Sequence, residues 1–190
     1  ISEENFIRKN TDELQISFWA EQFGWETIKS ELLNLKNRID SRHNILKIIP
    51  GPTRLEFLTT LAIKLKCISY TVKPNYIVDD QGLPTSHAPG NGADIECFKD
   101  DKLTLTEVTL HTSGHQQSIN EVPKIHRHVL SKREEFPQKE VNAVYISPIM
   151  HQDGILVSRL MSEDRYENVS IYPSNIEQFI EKIETDSVLN

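Results

Sequence analysis

The segment 141–146 restricts the fold of this 190-residue chain more than any other feature of the sequence. Its nearly uninterrupted apolar run is typical of a β-strand that is buried on both faces of its sheet. Helical patterns of apolar residues precede and follow it, over about 119–135 and 153–163. Helices that cover both faces of a sheet define the α/β class, and we therefore expect an α/β fold.

Two helices and a break are predicted in the N-terminal quarter of the chain. Apolar residues spaced three and four apart indicate helices over about 12–23 and 25–39, separated by a single glycine. The Pro-Gly-Pro string at 50–52 then interrupts any regular element. We therefore divide the chain into an N-terminal helical segment, 1–50, and a core, 51–190, within one compact domain.

The predicted elements of the core alternate between strands and helices. They run in the order α-β-β-α-β-α-β-α, over about 53–67, 93–98, 103–110, 119–135, 141–146, 153–163, 169–172 and 174–185. The first two strands are joined by a short polar turn and are expected to form a β-hairpin. The stretch 70–92 contains three prolines and is expected to be mostly loop.

Composition and charge exclude several classes of protein. No apolar run approaches the roughly 20 residues that a membrane-spanning helix needs, and we expect no secretory leader. The two cysteines, Cys67 and Cys97, form no CxxC pair, which favours reduced thiols in a cytoplasmic protein. The chain has 21 Lys+Arg against 28 Asp+Glu, and its net charge of −7 argues against a self-sufficient DNA-binding protein.

Two carboxylates of the predicted hairpin indicate where chemistry could occur. Glu107 shares a strand face with Leu103 and Leu105, where a charge is costly unless it is compensated. Asp94 stands at the start of the partner strand, so the hairpin can bring it close to Glu107. Two such carboxylates repel each other unless a cation lies between them, and hard oxygen ligands suit Mg²⁺. Incidental acids on a solvated hairpin are the alternative interpretation.

The order of the elements and the residues of the hairpin carry a resemblance to a known family. Asp94, with Glu107 later in the string Glu107-Val108-Thr109, is similar to the motif of the PD-(D/E)XK nuclease superfamily. More narrowly, about residues 53–150 resemble the catalytic domains of Type IIS restriction endonucleases of the AlwI and BstNBI group. This resemblance implies a restriction-endonuclease-like core, a mixed β-sheet flanked by helices, with an N-terminal helical extension.

The resemblance also implies a catalytic site and a reaction. Asp94 and Glu107 resemble the metal ligands of the family, and the backbone carbonyl of Val108 is expected to complete the coordination of Mg²⁺. Glu56 resembles the glutamate on the helix before the hairpin and is expected to join the catalytic site. The implied activity is Mg²⁺-dependent hydrolysis of a phosphodiester bond.

Thr109 departs from the motif, because most of the superfamily carries a lysine at this position. That lysine would orient the attacking water and offset charge on the phosphate. The AlwI-like group is similar in having threonine here. Lys124 on the following helix, or His111 if the strand continues that far, could supply the missing charge.

The size of the chain resembles that of the small catalytic subunit of a heterodimeric Type IIS enzyme. The resemblance implies that this chain hydrolyses one strand of double-stranded DNA, while a larger subunit recognises the site and nicks the other strand. No recognition module is visible, and the N-terminal helical pair is the expected docking surface. The alternative is a non-catalytic interaction subunit on a nuclease-like scaffold, in which Thr109 marks lost activity.

The histidines of the segment 111–128 have spacings that match no zinc-finger pattern, so a zinc site is not favoured. On the helix predicted over 119–135, His126 is expected near the buried face and His128 in solvent. The outer face of this helix is expected to carry Lys124, Arg127, His128 and Ser131. Gln117 and Glu121, four residues apart, could support the site from behind its ligands, but we expect them to be polar surface residues.

Overall fold

A computed structural model describes residues 3–90 and 92–185 and shows a five-stranded sheet flanked by helices. The helices are α1 (Glu3–Lys36), α2 (Gly51–Lys66), α3 (Val122–Glu135), α4 (Gln152–Met161) and α5 (Ile176–Glu184). Short 3-10 turns lie at Leu46–Ile48 and Asp164–Tyr166, and a π-helical segment lies at Gln116–Glu121. The strands are β1 (Thr71–Pro74), β2 (Ile77–Val78), β3 (Pro84–Ser86), β4 (Ile95–Lys99), β5 (Lys102–Val108), β6 (Glu140–Ser147) and β7 (Ile171–Asn175).

The sheet is mixed, and its strand order is β1-β4-β5-β6-β7. Strand β4 pairs antiparallel with β1 and with β5, whereas β6 pairs parallel with β5 and with β7. The predicted hairpin corresponds to β4 and β5, and the predicted helix between β5 and β6 provides the crossover that a parallel pair requires. The predicted mixed sheet with flanking helices is confirmed.

The sheet separates two hydrophobic clusters, because successive side chains of a strand point to opposite faces. On β6, Val144 and Ile146 belong to a cluster with residues of α1, α2 and α5. Ala143 and Tyr145 belong to a second cluster with residues of α3. The burial of β6 on both faces is therefore confirmed.

In its described part, the stretch 70–92 is mostly loop, as predicted, but it also contains three short strands that the sequence did not indicate. Strand β1 forms there and pairs antiparallel with β4, and β2 and β3 form a separate two-stranded sheet. The sequence conceals β1 because it has four residues and ends at Pro74. Proline is tolerated on an edge strand, where its missing N–H does not interrupt the ladder between two neighbours.

The two predicted N-terminal helices form one longer element, α1, which begins at Glu3. The break expected between them is present as a kink, since Gly24 has non-helical backbone angles with φ 67°. Buried residues of α1, among them Ile28 and Leu32, lie in the same hydrophobic cluster as residues of α2. None of the helices within 3–90 and 92–185 combines the length and the apolar character needed to cross a membrane.

Candidate active site

The end of the hairpin brings Asp94 and Glu107 to the same part of the sheet. They lie one residue beyond Ile95 and Thr106, the last pair of the β4–β5 ladder. The Val108 N–H donates a hydrogen bond of 2.8 Å to Asp94 Oδ2, which links the start of β4 to the end of β5. In an extended strand the N–H and C=O of one residue point to the same side, so the Val108 carbonyl also faces the side of Asp94.

Glu56 approaches this point from α2. Its side chain is buried, and its Oε2 accepts a hydrogen bond of 2.9 Å from the N–H of Ala88. Ala88 lies in the loop that leads into the hairpin, so this bond ties α2 to the segment that carries Asp94. The carboxylates of Glu56 and Asp94, from a helix and a strand start, are thereby held by separate hydrogen bonds.

The electrostatics show that these carboxylates influence one another. Burial raises the pKa of Asp94 well above its usual value, and the negative charges of Glu107 and Glu56 raise it further. Burial also raises the pKa of Glu56, while the Ala88 N–H and nearby positive charge, including that of Lys124, oppose the shift. The ionised forms of Asp94 and Glu56 are therefore disfavoured unless a cation offsets their charge.

The donor set fits Mg²⁺. Within the described ranges, Glu56, Asp94 and Glu107 each use one oxygen in a hydrogen bond and leave the other oxygen without one. The described residues contain no group of three or more His, Cys, Asp or Glu side chains arranged to hold a metal ion by themselves. Mg²⁺ commonly takes one or two carboxylates and keeps several waters, so two carboxylates and one carbonyl suffice. Coordination of Mg²⁺ by Asp94, Glu107 and Val108 stays a prediction.

Helix α3 faces the hairpin carboxylates with three basic side chains spaced four residues apart, Lys124, His128 and Lys132. The Nδ1 of His128 lies 2.7 Å from Glu107 Oε1, and the Nζ of Lys132 lies 3.1 Å from Oε1 of the buried Glu96. Lys124 acts on Asp94 through space and lowers the pKa that burial has raised. Each carboxylate on this face of the hairpin thus has a basic side chain of α3 near it.

The predicted placement of His128 was wrong. His128 is buried, because it follows Ile125 by three residues and shares its face, whereas we expected it in solvent. His126 is only half-buried, and its Nε2 lies 2.8 Å from the carbonyl oxygen of Tyr166. The spacing of three from Val122 to Ile125 and on to His128 was the signal that could have identified His128 as buried.

His111 and Lys124, the two residues considered as substitutes for the motif lysine, differ in their position relative to the hairpin carboxylates. β5 ends at Val108, so strand alternation does not place His111 on the face of Glu107. The His111 side chain is largely exposed, and its Nε2 lies 3.9 Å from Glu121 Oε1. Thr109 uses its Oγ1 to accept a hydrogen bond from the His111 N–H. Lys124 is therefore the better placed of the two candidates.

Gln117 was expected at the surface and is instead completely buried. Its Nε2, which has two hydrogens, lies within hydrogen-bond distance of the carbonyls of His111 and Ile149 and of Ser147 Oγ, and its Oε1 accepts from the His151 N–H. These bonds connect the segment after β5 to the segment after β6. A local sequence pattern contains no sign of this role, because three of the four partners lie 30 or more residues away.

The mixed sheet with carboxylates at the end of its hairpin is the arrangement that the resemblance to restriction endonucleases implied. The family model described as AlwI restriction endonuclease matches residues 4–182, and the chain belongs to this family. Among solved structures, the chain is similar to the small subunit of the heterodimeric restriction endonuclease R.BspD6I, with a TM-score of 0.62 and 19% identity. That match covers 85% of this chain and 81% of the other. A comparison with curated protein sequences gives no significant match.

Proposed function

We propose that this chain is a Mg²⁺-dependent endonuclease subunit that hydrolyses a phosphodiester bond in one strand of double-stranded DNA. In this proposal it acts with a larger, sequence-recognising nicking subunit in a Type IIS restriction enzyme. The observation that carries the proposal is the set of buried carboxylates Glu56, Asp94 and Glu107, each with one oxygen that makes no hydrogen bond to a described residue. The restriction-endonuclease family and the description of the structural neighbour as a small subunit support it.

Asp94, Glu107 and the carbonyl of Val108 would hold Mg²⁺ in this site. When bound, the ion would polarise the scissile phosphate and lower the pKa of a bound water. Glu56 would accept a hydrogen bond from the attacking water with its free oxygen, Oε1. Lys124 would offset the charge that develops on the phosphate, since it already acts on Asp94 and Glu56. Helix α3 would then provide the positive charge that Thr109 cannot.

A cleavage assay tests the proposal. The full chain is incubated with a supercoiled plasmid and Mg²⁺, alone and with a candidate larger subunit of the same restriction system. We expect specific double-strand cleavage only with both subunits, and only single-strand nicks when Asp94→Asn replaces the wild-type chain. Asp101→Asn is the matched control, because Asp101 is an exposed residue in the turn of the same hairpin.

The same assay separates the catalytic role from the non-catalytic alternative. A degenerate scaffold that only supports the larger subunit would function equally well with Asp94→Asn or Glu107→Gln. Equal double-strand cleavage by the wild type and both variants would therefore contradict the proposal. Specific cleavage by the chain alone would contradict the part of the proposal that assigns recognition to a larger subunit.

A further inference from the structure

The contact between His128 and Glu107 joins two residues that are 21 positions apart and both buried. The donor–acceptor distance is 2.7 Å, which is within the range of a strong hydrogen bond between a nitrogen and a carboxylate. A carboxylate ligand of a metal ion is ionised and can only accept hydrogen bonds, so in that state the Nδ1–H of His128 is the donor and Glu107 Oε1 the acceptor. Among the described residues, no other hydrogen bond fixes the Glu107 side chain.

This hydrogen bond decides which oxygen of Glu107 remains available. Because Oε1 is engaged, Oε2 is the oxygen without a partner in the described part of the chain. A glutamate side chain has three rotatable bonds and would otherwise sample several orientations. Carboxylate ligands of metal ions are commonly held by such outer hydrogen bonds, and loss of one typically weakens metal binding about 10–100-fold.

We propose that His128 is a positioning residue that holds Glu107 Oε1 and thereby presents Oε2 to a divalent cation. This inference rests on the proposed function, because it requires that Glu107 is a metal ligand. It assigns to His128 a role at the site that the sequence motif does not contain. The role depends on the hydrogen-bond geometry alone.

The same face of α3 provides an internal control. One turn further along, Lys132 pairs with the buried carboxylate of Glu96 at 3.1 Å, and it also contacts Glu135. Glu96 is not one of the residues assigned to the metal. Loss of the Lys132 contact therefore removes a buried polar pair from the same helix face without changing the presentation of Glu107.

The experiment measures the affinity of the full chain for Mn²⁺ by electron paramagnetic resonance, for four variants and the wild type. His128→Leu removes the donor. His128→Asn places an amide N–H close to the position of Nδ1, whereas the longer side chain of His128→Gln places it near Nε2. Lys132→Gln is the control. Thermal melts establish that each variant is folded.

We expect His128→Leu and His128→Gln to bind Mn²⁺ about 10–100-fold more weakly than the wild type. We expect His128→Asn to recover most of the affinity and Lys132→Gln to bind like the wild type. If His128→Leu fails to fold, the comparison between Asn and Gln decides, because both are polar and differ only in where the N–H lies. A structural role would not distinguish these two variants.

Three outcomes would overturn the inference, and they differ in what they imply for the proposed function. Wild-type affinity in the Leu and Gln variants, or equal weakening by Asn and Gln, would show that His128 does not position Glu107. In that case the proposed function would stand as long as the wild type binds Mn²⁺ and cleaves DNA. A wild-type chain that binds no Mn²⁺ would overturn both this inference and the proposed metal site.

Discussion

Substitution of Asp94 separates two effects of its carboxylate, the charge and the hydrogen bond. The charge is unfavourable in the metal-free protein, because burial and the neighbours Glu107 and Glu56 raise the pKa of Asp94. The hydrogen bond is favourable, because Asp94 Oδ2 accepts the Val108 N–H at 2.8 Å. Asp94→Asn removes the charge and keeps an oxygen that can accept this bond, whereas Asp94→Ala removes both.

The sign of the pH effect follows from the raised pKa. The favourable contribution of protonated Asp94 is fully present below the unfolded pKa of an aspartate, and it is lost as the pH rises through the raised pKa of the folded protein. Without metal, we therefore expect Asp94→Asn to be at least as stable as the wild type at pH 8. Its advantage over the wild type should shrink as the pH is lowered towards the ordinary pKa of an aspartate.

The cost of Asp94→Ala comes from the backbone. The N–H of Val108, which is partly buried, loses its acceptor, and an unsatisfied group of this kind costs about 1–3 kcal/mol. For a chain of this size, each kcal/mol corresponds to about 2–4 °C in Tm. At pH 8 without metal, Asp94→Ala should therefore melt below Asp94→Asn by a few degrees or more.

Thermal melts by circular dichroism at pH 5 and pH 8, in EDTA and in Mg²⁺, measure these differences. We expect Mg²⁺ to raise the Tm of the wild type and to have little effect on either variant. The reasoning would be refuted by Asp94→Asn melting well below the wild type at pH 8 in EDTA. Equal melting temperatures for the Ala and Asn variants would show that the bond to Val108 contributes nothing.

Two further predictions concern residues outside the sequence motif. Lys124→Gln should lower the rate of strand hydrolysis about 100–1,000-fold, as loss of a group that stabilises transition-state charge commonly does. The measurement is a single-turnover nicking assay with the larger subunit present, and an unchanged rate would show that Lys124 does not replace the motif lysine. Gln117→Ala should lower the free energy of unfolding by at least ~2 kcal/mol in urea, because it leaves several buried polar groups without partners. Asn120→Ala, an exposed position in the same π-helical segment, should change it little.

Local patterns in the sequence were sufficient for most of the core. The apolar run of β6 predicted a strand buried on both faces, and alternation together with a polar turn predicted β4 and β5. These elements could be predicted because period and turn chemistry act over a few neighbouring residues. The antiparallel hairpin was then able to bring Asp94 and Glu107 near each other, and the ladder does end beside them.

Other features were decided only by the tertiary structure, because their partners are distant in the chain. Strand β1 is stabilised by pairing with β4, and a four-residue strand that ends in proline has no strong local preference for this conformation. The burial of His128 and Gln117 runs against the usual preference of polar residues, and it is compensated by hydrogen bonds to residues as many as 34 positions away. Sequence alone determined which acids the hairpin carries, whereas packing of α3 against the sheet decided which basic side chains face them.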